Sequence, residues 1–290
     1  MAPSADNKWL TWYAQFNENH GFQRRQEWYS DSTMAYRWAR PRYPDKLITQ
    51  VLDQAHLSKQ SSLLEIGCGP GIATAALAEK GLRIVAIEPS NAACELARKS
   101  CRNYNSITIV NSTFEQYDLN QPTQQQYDAV LAATSFHWIS PDVACSKSAA
   151  ALKPGGSLIL LWATPPQPSA ELSDYLQPVY DRHNLSGLSE GQRRSGAYYK
   201  GNFDHLANTI NQSGFFQPSN IDIETCHSTY SIEKYLALLS TLSPYIAVEE
   251  QRREHLLSAL GARLADALDT GSLETTHWFG AQVALLQASA

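Results

Sequence analysis

"LLEIGCGPGIA", residues 63–73, is the stretch that decides the reading of the chain. A mostly apolar run containing one acid, Glu65, leads into glycine at positions 67, 69 and 71. Glycine loses more backbone freedom on folding than any other residue, so three so close together imply a geometry or a ligand that needs them. A buried strand, a glycine-rich turn and a helix start make a nucleotide-binding geometry. The turn lets backbone approach a ligand, and the helix N-terminus offers unpaired N–H groups. A dinucleotide site uses Gly-x-Gly-x-x-Gly, with a pyrophosphate at the helix end. Here the order is Gly67-x-Gly69-x-Gly71, and Glu65 at the strand end repels a pyrophosphate while suiting an ammonium or sulfonium charge. A second acid, Glu88, ends the following strand; an acid there accepts hydrogen bonds from a ribose diol in either arrangement and does not discriminate between them.

Outward from this turn, short β-rich runs alternate with helical ones. "SLLEIG", "LRIVAIEP", "ITIV", "YDAVLAAT" and "SLILLW" are separated by "IATAALAEKG", "NAACELARKSC", a loop with "STFEQYDL", and "DVACSKSAAALKPGG". Strands alternating with helices predict βαβ crossovers and a parallel sheet. The strands are almost continuously apolar, as burial on both faces requires. "KPGG", residues 153–156, predicts a helix stop and a turn into the next strand. After Trp162 the pattern breaks at "ATPPQPS". Residues 170–215 read as a helix, a Gly/Ser/Arg-rich loop and a second helix, and "NIDIETCHSTY" reads as a strand. "IEKYLALLSTL" and "VEEQRREHLLSALGARLADAL" are amphipathic helices, and "HWFGAQVALLQA" is a final strand. Upstream, Trp9, Trp12, Tyr13 and Phe16 share one helical face, with Trp28 and Tyr29 beyond the "NENHG" break. That stripe suits docking against the core or a lid over the site.

The chain of 290 residues is long enough for one large domain, and its 43% hydrophobic and 18% charged composition is that of a folded protein. A net charge of −5 argues against a constitutive nucleic-acid binder, and the clusters "QRRQ" and "EGQRRSG" read as solvated surface. No charged-then-apolar leader opens the sequence, and its longest apolar run, "LILLWA", is too short to span a bilayer. Five scattered cysteines without a CxxC pair support neither a disulfide framework nor a zinc site, so reduced thiols in a cytoplasmic protein are expected.

"LLEIGCGPGIAT", "IEPS" and "YDAVLAATSFHWI" resemble the successive motifs of the class I S-adenosylmethionine-dependent methyltransferases. "AYRWARPRYPDKLI" is similar to the lead-in of the branch containing trans-aconitate methyltransferase-like enzymes, and "STLSPYIAVEEQRREHLL" resembles that branch's C-terminal part. The resemblance implies a Rossmann-like α/β fold. Seven mostly parallel strands form its sheet, with the last antiparallel and helices on both faces. N- and C-terminal helical additions form a cap. The aromatics and the "NENHG" break mark 1–34 as an expected lid segment, and 35–290 is read as the methyltransferase domain, with cap insertions around 163–205 and 229–270. S-adenosyl-L-methionine is the implied cofactor. By the same resemblance, Gly67, Gly69, Gly71 and Glu65 lie at its methionine part, Glu88 at the ribose and Pro89 at the adenine. Ala133 also lies at the cofactor, over which Tyr36 and Arg40 close. Where the family often has Asp-Ala-Glu, this chain has Thr113-Phe114-Glu115. A hydroxyl at Thr113 can still accept the adenine hydrogen bond, and Phe114 either packs on adenine or is ordinary core. Arg40 is alternatively a surface arginine.

The fold does not name the methyl acceptor. "ATSFHWI" stands where nucleic-acid amino methylases carry "[ND]PP[YF]", and it offers no carboxylates for magnesium, so no nucleic acid and no metal are expected. A small organic acceptor, methylated on O or N and including a carboxylate, is the remaining reading, with no membrane partner. Tyr43, Ser135, Phe136, His137 and Trp138 are expected to line its site, since ligands of open α/β sheets sit beyond the carboxyl ends of the strands. His137 is the candidate general base, or else only a lining residue. Two other readings stand beside this one: a NAD-dependent oxidoreductase, which the glycine spacing disfavours, and a non-catalytic module on the methyltransferase fold.

Overall fold

The computed structural model describes residues 30–119, 127–191 and 194–288. Strand β1 (Ser62–Ile66) is buried at all five positions and is an interior strand, third in one seven-stranded sheet. With β2 (Arg83–Glu88), β3 (Ile107–Asn111), β4 (Tyr127–Ala133), β5 (Leu152–Ala163), β6 (Ile221–Ser231) and β7 (Ser272–Leu285), the order is β3-β2-β1-β4-β5-β7-β6. Pairings among β1 to β5 are parallel, and β7 runs antiparallel to both β5 and β6. Six strands therefore point one way and the last points the other, as the sequence implied. The chain reverses direction across the sheet between β1 and β4, and a crevice opens there at the strands' carboxyl ends.

The crossovers α3 (Ile72–Glu79), α4 (Asn91–Ser100) and α5 (Pro141–Ala151) follow α1 (Thr33–Ala39) and α2 (Asp45–Gln54). Alternation along β5 divides the core. Leu158 and Leu160 face a cluster with Val130, Phe136 and Phe203, while Ile159 and Leu161 face one with Leu47, Leu77 and Phe279. Burial on both faces is why these strands read as unbroken apolar runs. The helix before "KPGG" stops at Ala151, and the motif forms an irregular opening of β5. Leu152 pairs with Tyr127 there, and regular pairing resumes only at Ser157 with Ala129. Gly155, at φ +78°, makes that bend. The last strand begins at Ser272, five residues ahead of the predicted "HWF".

A third cluster lies apart from the sheet. It joins α6 (Ala170–Arg182), α9 (Ile232–Ser240), α10 (Ser243–Ile246) and α11 (Glu250–Ala267) through Leu176, Leu238, Leu256 and Leu260. At its centre the Tyr180 and Tyr245 hydroxyls meet at 2.7 Å, so neither phenol is left unsatisfied by burial. The loop expected between the two helices of 170–215 contains a short helix, α7 (Ser186–Gly191). Helix α8 (Gly196–Asn211) packs on the sheet through Phe203 and Ile210, so residues 196–205 cover the sheet and do not join the helical cluster. The aromatic stripe from Trp9 to Tyr29, and with it most of the expected lid, lies outside the described residues.

Candidate active site

The glycine turn is tied at its start to the neighbouring strand: Gly67 and Cys68 N–H groups donate to the Ile87 carbonyl at 2.8 and 3.1 Å. Each glycine answers a different demand. A side chain at Gly67 would come within 2.6 Å of Ser135 Cβ, and one at Gly71 within 3.2 Å of the Ala97 backbone in α4. At Gly69, φ is +54° and nothing lies within 4 Å of an added Cβ. Gly69 is where the turn presents bare backbone to an open cavity; its neighbours are glycines because other chain segments press on them.

Glu88, at the end of β2, is fixed by main-chain donors: Gly69 N–H reaches Oε2 and Ser90 N–H reaches Oε1, both at 2.9 Å. Burial pushes its carboxyl up to about 7 against the pull of those two donors. Asn111 Nδ2 donates to the Glu88 and Pro89 carbonyls and holds the strand end in register. Ser90 caps α4 by accepting from Ala93 N–H. Beneath the turn, Glu65 is wholly buried and neither carboxylate oxygen has a hydrogen-bond partner of ordinary geometry. Burial raises it to about 7 as well; the nearby Thr74 hydroxyl opposes this and the Glu88 charge adds to it.

Opposite, the turn after β4 is shaped by Thr134, a non-glycine residue at φ +57°. Its hydroxyl meets Tyr43 Oη at 2.8 Å and takes a bond from Ala163 N–H at 3.1 Å, which joins the lead-in, β4 and β5 at one atom. Ser135 Oγ donates to the Ile66 carbonyl. Arg40 bonds Thr241 twice, from Nε to the hydroxyl at 2.9 Å and from Nη2 to the carbonyl at 2.8 Å, and so anchors the lead-in to the helical cluster. Its guanidinium also covers the Tyr36 ring at 4.7 Å.

These parts surround one cavity. Of the residues expected from the sequence, Tyr36, Arg40, Tyr43, Gly67, Gly69, Glu88, Pro89, Thr113, Phe114, Ala133, Ser135 and Trp138 line it. Glu65 and Gly71 lie behind that wall. Phe136 is fully buried in the sheet core because the 3₁₀ turn Phe136–Trp138 points it inward. His137 does not line the cavity; its ring lies between Trp138 and Trp162, with centroids 5.5 and 5.6 Å away, and burial lowers it to about 4. Phe114 belongs to the core and to the cavity wall at once. Thr113 Oγ1 accepts from Gln116 N–H at 3.2 Å, which leaves its proton available to a further acceptor.

Thr134, Ser90, Ser112, Ile139 and Ala163 also line the cavity and were not singled out in the sequence. Ser90 carried a signal, a serine between a strand-end Glu-Pro and a helical run. Thr134 carried none, since its role depends on a backbone twist that β-branched residues rarely adopt. Among the described residues no group of three or more His, Cys, Asp and Glu is placed to hold a metal ion, and no helix is long and apolar enough to cross a membrane.

Comparison with known proteins agrees with this geometry. Residues 64–160 match the methyltransferase domain family. An uncharacterized methyltransferase of Mycobacterium tuberculosis is 33% identical over 130 residues, covering 45% of this chain and 49% of that one, so the chain spans about half the length of this curated relative. An uncharacterized methyltransferase of Schizosaccharomyces pombe is 26% identical over 223 residues, 76% of this chain and 81% of the relative. A solved structure from Anaeromyxobacter dehalogenans, described as a type II methyltransferase, superposes with a TM-score of 0.58 at 21% identity, over 85% of this chain and 97% of that one. That last likeness speaks for the fold. Fold, glycine turn and family match together mark residues 64–160 as a methyltransferase domain, of the kind whose cofactor is S-adenosyl-L-methionine.

Proposed function

We propose that the whole chain transfers a methyl group from S-adenosyl-L-methionine to a small organic acceptor, on oxygen or nitrogen, a carboxylate oxygen included. The observation that carries this reading is the coupling of Gly69 to Glu88. Gly69, where an added Cβ would meet only open space, donates its N–H to the acid at the end of β2, so turn and carboxylate are joined as one unit. The buried, unpartnered carboxylate of Glu65 beneath the turn supports a cationic cofactor and speaks against a pyrophosphate.

The cofactor supplies an electrophilic methyl carried on a sulfonium. In this reading Glu88 accepts ribose hydroxyls, Pro89 and Phe114 flank the adenine, and Thr113 offers its hydroxyl at the adenine edge. Tyr36 and Arg40 cover the cavity from the lead-in, while Tyr43, Ser135 and Trp138 face the acceptor. In-line displacement gains much of its rate from alignment and exclusion of water, which a wall pinned at Thr134 and Arg40 supplies. The trans-aconitate-like lead-in is compatible with a carboxylate acceptor, which is already ionised and needs no base.

Calorimetry with S-adenosylhomocysteine and with NADH tests the reading. Saturable binding of the first and none of the second is expected; the reverse would return the site to the oxidoreductase reading. A screen of carboxylate, amine and phenol metabolites with labelled cofactor then tests catalysis, and transfer to none of them favours a non-catalytic module.

A further inference from the structure

On the other side of Arg40 and Pro41, which wall both spaces, lies a second groove of about 970 Å³. It runs between α1 with the lead-in "RPRYP" and the paired strands β6 and β7. Its charge is unusual for a chain whose net charge is −5. Arg37, Arg40, Arg42 and Lys234 line it, together with His227 and His277, and among the described residues no Asp or Glu does. Among the described residues none of these four cations is in an ion pair. Arg40 is spent on Thr241, and the Lys234 ammonium rests over the Tyr230 ring at 5.0 Å; Arg37 and Arg42 are exposed. Like charges kept together without counter-charges repel one another, and an anion in the groove relieves that repulsion.

A second observation points the same way. His277, 2% exposed, lines the groove from β7, and its Nδ1 has no hydrogen-bond partner. The ring stands edge-on to Phe279 at 5.2 Å, and its residue pairs with Cys226 across the β6–β7 ladder. A buried polar nitrogen left unpaired is costly, and a small turn of the ring toward a ligand in the groove would give it a partner. The acid nearby on β7, Glu274, accepts a bond from the Thr229 hydroxyl and does not line the groove. At the rim Met34 and Trp38, one helical turn apart on α1, are 66% and 49% exposed and offer an apolar surface beside the charges.

We propose that this groove is a binding site for a small-molecule oxyanion, a phosphate or carboxylate group on an apolar or aromatic body, held by Arg37, Arg42, Lys234 and His277. The guanidinium forks of Arg37 and Arg42 suit bidentate recognition of either oxyanion. The indole of Trp38 takes the attached body. The site is distinct from the methyl-transfer cavity and does not depend on the methyltransferase reading.

The experiment is calorimetry on the full chain at low ionic strength with three probes: phenyl phosphate, benzoate and inorganic phosphate. Saturable one-to-one binding of phenyl phosphate or benzoate is expected, and the stronger of the two identifies the oxyanion. Inorganic phosphate, lacking the apolar body, binds more weakly. The double variant Arg37→Gln/Arg42→Gln, at exposed positions, is expected to weaken binding at least tenfold and to leave S-adenosylhomocysteine affinity unchanged. His277→Phe tests the buried contact and is accompanied by a thermal melt; Lys234→Gln serves if that variant does not fold. Absence of saturation with all three probes, or equal affinity in the double variant, overturns the proposal.

Discussion

The two walls of the central cavity are built by different means. The cofactor-side wall is main chain: a glycine turn hooked to Ile87, and a carboxylate held by the N–H groups of Gly69 and Ser90. The opposite wall is side chain: Tyr43 on Thr134, Arg40 on Thr241, and Trp138, with His137 packed behind it. A wall of main chain requires particular residues at fixed spacing, because only glycine tolerates those torsions and those close approaches. A wall of side chains is assembled from distant segments, and many residue combinations fill it. The first kind of wall therefore identifies the cofactor class, and the second hides the acceptor.

The largest effect is expected where the main-chain wall is open. Gly69→Val places a branched side chain into free cavity space at φ +54°. It blocks the approach to the turn and strains a backbone that valine avoids. Loss of S-adenosylhomocysteine binding by 100-fold or more is expected on the order of magnitude that such backbone outliers and a blocked contact produce together. Calorimetry on a variant whose melting temperature shows that it folds makes the measurement. Retained affinity would mean that the cavity takes its ligand elsewhere, and the contrast between the walls would collapse.

A smaller effect is expected at Glu88. On the proposed reading, Glu88→Ala removes the acceptor for ribose hydroxyls and leaves the Gly69 and Ser90 N–H groups unpaired, with an expected cost of about 1–3 kcal/mol of cofactor affinity. The same carboxylate predicts a pH dependence. Its folded pKa, like that of Glu65, is raised to about 7 from an ordinary value of 4.5. Between those values the folded chain holds more protons than the unfolded one, so the stability of the ligand-free protein falls as pH rises from 4.5 to about 7. If cofactor binding uses the charged form, as the proposed roles of Glu65 and Glu88 require, affinity is expected to strengthen as pH rises toward about 7. Thermal melts with and without S-adenosylhomocysteine from pH 5 to pH 8 separate the two trends. Melting temperatures that climb together through neutrality would show that the carboxylates are not held as described.

What was legible follows the same division. The buried strands, the glycine turn and Glu88 could be read from "LLEIGCGPGIA" and "IEPS", though not the order of strands in the sheet, because burial on both faces and positive φ leave residue-type traces. The third hydrophobic cluster could be read only as helices, since leucines at three- and four-residue spacing in α9 and α11 say that a face is buried but not against what. Tyr180 meeting Tyr245 and Arg40 meeting Thr241 are contacts across 65 and 201 residues, which no local pattern announces. Thr134 is the sharpest case. The residue that joins three segments of the acceptor wall is a threonine in a backbone conformation from which its type argues against selection.

The smallest effect is expected at His137, where the side-chain wall is closest to chemistry without reaching it. Three observations bear on its role: the ring does not line the cavity, it is wedged between Trp138 and Trp162, and burial lowers its pKa to about 4. A base works best with a pKa near the working pH, and a group at about 4 is a weak proton acceptor at neutrality, so its driving force for taking a proton is small. A lowered histidine pKa also means that the ring is already neutral through the range from about 5 to 8, so it contributes no titration step there. His137→Gln keeps a hydrogen-bonding group of similar reach between the tryptophans. A fall in kcat of only a few-fold is expected, with an unchanged pH profile near neutrality and unchanged affinity for S-adenosylhomocysteine. A general base contributes about 10²–10⁴ in rate, so a loss of that size with the neutral limb of the profile removed would move His137 into the reaction. The acceptor wall would then hold a residue that acts by proton transfer, and alignment by Thr134 and Arg40 would no longer account for that side of the cavity alone.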